Sequence, residues 1–143
     1  MTAGYSGTPL AKKLGIKEGF AILAVDAPDD YSSLVEPLPI GAEIRNVELH
    51  LLVKAKRGID LIHFFTNSRD NLFRSLPLLQ KLIKQDGSIW VSWYKKAAKL
   101  PTEITEDTIR EACLPIGLVD VKVCAIDDRW SGLKLVIRKE NRS

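Results

Sequence analysis

Soft and imidazole metal ligands are scarce in this chain: two cysteines, two histidines and one methionine in 143 residues. Cys113 and Cys124 are too few for the disulfide framework of a small secreted protein. Both sit in apolar patterns, so buried free thiols are expected. With His50 and His63 they make no zinc spacing, and no metal is expected. No apolar run approaches the ~18–20 residues that span a bilayer. Met1 to Gly7 has neither the basic nor the apolar region of a signal peptide. A cytoplasmic protein with reduced thiols is therefore expected.

Charge of one sign is also lacking. Lysine and arginine number 21 against 18 acidic residues, a net +3. That excess is too mild to indicate nucleic acid or a membrane surface. Lys12-Lys13, Lys54 to Arg57 and Lys95-Lys96 are short basic clusters, and only Trp93 to Lys96 mixes cations with aromatics. Ser6-Gly7 is no nucleophile elbow, because no strand precedes it. His63 lies between Leu61 and Phe65 of its own face, the setting of a hydrogen-bonded core histidine.

What is present suits one α/β domain over 1–143, with an N-terminal arm and short helix at 1–19 and a polar tail at 139–143. A domain of this length buries roughly 68–70% of its unfolded surface. Thr8 and Pro9 open a short helix with Leu10, Ala11 and Leu14 on its apolar face, closed by Gly15. Phe20 to Val25 reads as a strand buried on both faces. Asp26-Ala27-Pro28-Asp29-Asp30 follows, then a short helix to Val35, stopped by Pro37 and Pro39. Residues 40–58 carry no clear period. Glu48 to Val53 fits a strand or a helix end, and Lys54 to Gly58 a solvated turn.

From Asp60 the pattern is regular. Leu61 to Thr66 is a strand, and Asn67 or Ser68 caps the next helix. Leu72, Leu76, Leu79 and Ile83 form its stripe, Pro77 predicts a kink, and Gly87 predicts the stop. Ser88 to Trp93 is a strand. Thr105 begins a helix with Ile109, Ala112, Cys113 and Ile116 inward, ended by Gly117. Val119 to Ile126 alternates as a half-exposed edge strand, valines on one face. Leu133 to Arg138 returns as a hairpin.

Strands separated by helices call for right-handed parallel crossovers. The order from Asp60 to Arg138, ending in one antiparallel strand, resembles the C-terminal half of class I S-adenosylmethionine-dependent methyltransferases. The segments Gly4 to Leu10, Ile89 to Trp93, Gly117 to Ile126 and Trp130 to Lys134 look like a family of small bacterial proteins carrying a domain of unknown function. The resemblance implies a three-layer Rossmann-like sandwich, mostly parallel, with a C-terminal antiparallel hairpin, like a truncated class I methyltransferase. Such enzymes carry a glycine-rich loop after the first strand, whereas Asp26 to Asp30 has no glycine. About 35 residues separate Val25 from Leu61, and one crossover takes roughly 30. The strand–helix unit that carries the cofactor ribose contact then has no room.

These two objections lead to the expectation of a non-enzymatic binding or regulatory module, with no cofactor. The alternative is an enzyme or small-ligand binder for an anionic or aromatic molecule, or a surface for a protein partner on the last hairpin. Ligands of open α/β sheets bind at the carboxyl ends of the strands. That rule assembles Tyr5, Ser6, Thr8, Asn67, Trp93, Tyr94, Lys95, Lys96, Arg129 and Trp130 as candidate ligand-binding residues. In the plainer reading Trp93 and Trp130 pack together as a lid on the edge.

Overall fold

The structure is a computed structural model describing residues 8–142, the side chain of Val53 apart. Six strands form one mixed sheet: β1 (Ala21–Val25), β2 (Glu43–Val47), β3 (Ile59–Phe65), β4 (Ile83–Tyr94), β5 (Leu118–Ala125) and β6 (Trp130–Ile137). Their spatial order is β2-β1-β3-β4-β6-β5. β1 to β4 run parallel. β6 lies antiparallel between β4 and β5, as the hairpin pattern implies.

Helices cover both faces, which makes the three layers. Leu10, Leu14 and Tyr31, from α1 (Leu10–Leu14) and α2 (Tyr31–Leu34), bury with Ile22, Ala24, Leu61, Phe65, Trp90 and Trp130. Leu72, Leu76, Leu79, Ile109 and Cys113, from α3 (Arg69–Leu82) and α4 (Glu106–Cys113), bury with Leu23, Val25, Ile62, Phe64, Val91 and Trp93. Each central strand thus feeds alternate side chains into two cores. Trp90 fixes α1 to the sheet, its indole N–H donating to the Leu14 carbonyl at 3.0 Å.

The caps follow local chemistry. Ser68 caps α3 by accepting the Asn71 N–H at 3.2 Å. Thr105 and Thr108 form a reciprocal capping box on α4. Thr8 does not cap α1, whose N-cap is Pro9. Gly15 closes α1 at φ +83°, the left-handed turn that glycine makes without strain.

Four readings are corrected. The strand in the illegible stretch is Glu43–Val47, and Leu49–Lys54 is a 3-10 turn. β2 is an edge strand with little burial, so it carries no apolar alternation. α3 runs through Pro77 but stops at Leu82, and Ile83 already pairs with Ile59 in β4. Gly87 is buried within β4, where a Cβ would lie 3.1 Å from the Asp60 carbonyl. In β5 a register shift between Asp120 and Lys122 breaks the alternation, leaving Val121 and Val123 about half exposed.

Candidate functional site

The turn after β1 is tight despite its lack of glycine. Asp26 itself takes φ +53°, a left-handed conformation that Asp tolerates better than most residues. Its N–H donates to the Val47 carbonyl at 3.0 Å. Its carboxylate accepts the Leu49 N–H at 2.9 Å. One residue therefore binds the end of β1 to the end of β2 and to the turn beyond it.

Asp29 and Asp30 follow and form one rim of a groove of about 490 Å³. The groove is lined by Pro28, Asp29, Asp30 and Leu34 on one side and by Asp127, Asp128, Arg129 and Trp130 on the other. The second rim is the β5–β6 turn, shaped by Asp127, whose carboxylate accepts the N–H groups of Arg129 and Trp130 at 2.8 and 2.9 Å. Four carboxylates against one guanidinium make the lining acidic. Of the anionic or aromatic molecule in the alternative reading, such a lining suits the aromatic one better.

An aromatic chain runs from the buried Tyr31 to the groove wall. Tyr31 meets His63 edge-on at 5.2 Å, His63 stacks on Phe65 at 4.3 Å, and Phe65 meets Trp130 at 4.9 Å. Trp130 then packs against Tyr94 at 4.5 Å. His63 is a hydrogen-bonded core histidine, as its neighbours in β3 imply. Burial lowers its pKa to about 3 and raises that of Tyr31. A ring that is neutral and sealed cannot serve as a base for a ligand in the groove. His50 is exposed, 3.3 Å from Glu48.

The structure brings together only part of the expected constellation. Arg129 and Trp130 line the groove, and Tyr94 abuts Trp130. Asn67 acts as a loop fastener, accepting the Tyr94 N–H on Oδ1 at 2.8 Å. Lys95 is half-buried, its N–H bound to the Arg129 carbonyl at 2.8 Å, and Lys96 is exposed on the next turn. Trp93 points to the α3–α4 core, away from Trp130 on the opposite face. The two indoles therefore form no common lid: Trp93 pairs with Ser131 of β6, and Trp130, the next residue along that strand, faces the other side. Thr8 is half-buried just before α1 and is not among the groove residues. Tyr5 and Ser6 lie outside the described residues. Asp29 and Asp30 also line the groove, outside the set expected from the sequence; their position just after a buried strand was the available signal. No cluster of metal-ligating side chains occurs among the described residues. None of the described helices is long and apolar enough to cross a membrane.

No family model matches the sequence, and no curated protein matches it either. Solved structures do match the fold. A methyltransferase from Aquifex aeolicus described as SAM-dependent superposes with a TM-score of 0.67 at 13% identity, over 90% of this chain and 88% of its own. A TehB-like SAM-dependent methyltransferase from Corynebacterium glutamicum gives 0.61 at 14%, over 95% and 91%. Aeropyrum pernix fibrillarin, solved with natively bound S-adenosyl-L-methionine, gives 0.59 at 13%, over 93% and 70%. The fold is therefore that of class I S-adenosylmethionine-dependent methyltransferases.

These matches overturn the expectation of a degenerate, non-enzymatic module. That expectation rested on a loop without glycine after β1 and on a fold too short for a cofactor half. Two proteins described as SAM-dependent methyltransferases are covered to about nine-tenths of their own length by this chain. The length count failed because the crossover from β1 to β2 spends only a four-residue helix, α2. β2 therefore fits beside β1 after all.

Proposed function

We propose that this chain is an enzyme of the S-adenosylmethionine-dependent methyltransferase kind, reacting at the carboxyl edge of its sheet. The observation that carries the reading is the strand order, with β6 inserted antiparallel between β4 and β5. The acidic, aromatic-walled groove at that edge supports it.

The residues present fit the cofactor. S-adenosylmethionine carries an ammonium, a sulfonium and an aromatic base, and when bound it supplies an activated methyl group. Asp29 and Asp30 are exposed carboxylates suited to hold its cationic end. Trp130 offers an aromatic wall. Asp26 makes the close turn that a glycine would otherwise make. Asp127 spends Oδ1 on two backbone N–H groups, and with Asp29 and Asp30 on the cofactor's cationic end, Asp128 is the groove carboxylate left to take a proton from an acceptor.

Calorimetric titration with S-adenosylmethionine and with its demethylated product tests the reading. The wild-type chain binds both. The D29N/D30N pair weakens binding roughly tenfold or more, as loss of charge-assisted hydrogen bonds requires. No heat and no thermal stabilisation of the wild type at millimolar cofactor would refute it.

A further inference from the structure

The outer edge of β2 has a self-complementary pattern. In the parallel ladder with β1, the Glu43 N–H donates to the Phe20 carbonyl at 2.9 Å, and the Val47 carbonyl accepts the Asp26 N–H at 3.0 Å. Glu43, Arg45 and Val47 therefore turn their peptide groups toward β1. Ile44 and Asn46 turn theirs outward, where β2 has no neighbouring strand among the described residues. Ala42 has its N–H closed onto the Pro39 carbonyl at 3.1 Å, but its carbonyl can still accept.

The side chains at this edge are poised likewise. Glu43 and Arg45 are exposed, and neither has an ion-pair partner among the described residues. Both share a sheet face with Leu23, which pairs with Arg45. Ile44 lies on the other face, half-buried beside the α1–α2 core.

We infer that β2 pairs antiparallel with β2 of a second copy of this chain, about a two-fold axis at Ile44, to give a continuous twelve-stranded sheet. Ile44 then exchanges both backbone hydrogen bonds with Ile44 of the partner subunit. Each Asn46 N–H meets the Ala42 carbonyl across the axis. Glu43 falls opposite Arg45 of the partner subunit, twice by symmetry. These are non-hydrogen-bonded pairs, where facing side chains come closest. An axis at Arg45 or at Glu43 sets like charges directly opposite, which is destabilising. An axis at Asn46 leaves both charges unpaired. The edge thus selects one register. A strand this short buries little area, so the dimer is reversible, with dissociation on the order of micromolar to sub-millimolar.

Sedimentation equilibrium of the full chain, from about 5 to 500 μM to bracket that range, reads the association directly. The wild type forms a reversible dimer. E43R and R45E each turn two attractive pairs into repulsive ones and weaken dimerisation roughly tenfold or more. The E43R/R45E double variant restores the dimer, because the swapped charges face each other again. I44P removes the N–H donors at the axis, at an edge position where proline is tolerated, and gives a monomer. Circular dichroism confirms that each charge variant is folded, and the charge-swap arms stand without I44P. Three outcomes overturn the inference: a wild type that is monomeric throughout, a dimer indifferent to both single substitutions, or a double variant that stays dissociated.

Discussion

The hydroxyl of Tyr31 lies 2.8 Å from Nδ1 of His63, deep between α2 and the sheet. Nε2 of the same ring lies 2.7 Å from Ser92 Oγ on β4. A neutral imidazole offers one donor and one acceptor, so both hydroxyls are satisfied without a charge. This contact ties α2, and with it the Asp29-Asp30 rim, to two central strands.

The consequence is acid sensitivity. The unfolded chain takes a proton at His63 below about pH 6.5, and the folded chain only near pH 3. Between those values the unfolded state binds more protons, so stability falls as pH falls. The loss is up to about 1.4 kcal/mol per pH unit. Urea unfolding at steps from pH 7.5 to 4.5 measures the slope. H63N lowers the plateau at neutral pH and flattens this dependence; an unchanged slope would mean that His63 is not the group responsible. Y31F leaves a ring nitrogen unpartnered and costs roughly 1–3 kcal/mol at neutral pH.

Trp130 is the one tryptophan in the groove lining; Trp90 and Trp93 lie inside the two cores. A ligand in the groove therefore changes the emission of Trp130 and not of the others. W130F removes the ligand-dependent change in fluorescence while binding by calorimetry persists. A signal that survives W130F would place the ligand elsewhere.

Gly132 sits in β6 opposite Ser92 and Cys124. A Cβ there would lie 2.9 Å from Ile126 Cδ1 and 3.1 Å from Trp90 Cε3. Ile126 and the indole of Trp90 on the neighbouring strand leave little room for a side chain there. G132A forces Ile126 or the indole to shift and destabilises by roughly 1–3 kcal/mol, read from the denaturation midpoint. W90F opens part of that space, so it reduces the cost of G132A in a double-mutant cycle.

The legible parts of this chain are those whose local pattern and tertiary fate agree. Leu61 to Phe65, Ile89 to Trp93 and the α3 and α4 stripes are buried where their apolar residues require it. The antiparallel hairpin followed from two short strands joined by a polar turn. β2 was not legible, because an edge strand with mostly exposed side chains needs no apolar alternation. The end of α3 was misplaced because Ile83 continues the helical stripe, yet pairing with Ile59 holds it in the sheet.

The groove divides in the same way. Its general place, at the carboxyl ends of the strands, is a property of open α/β sheets and could be read from the order of elements. Its members could not. Trp93 and Trp130 are equally aromatic in the sequence, but strand phase sends one to each core. Asp26 to Asp30 looked like a missing glycine loop, whereas the left-handed turn at Asp26 and its bond to Leu49 keep the loop tight. Composition and period determine which residues must leave water. Only the pairing of strands distant in sequence decides which side of the sheet each one faces, and so which side chains meet.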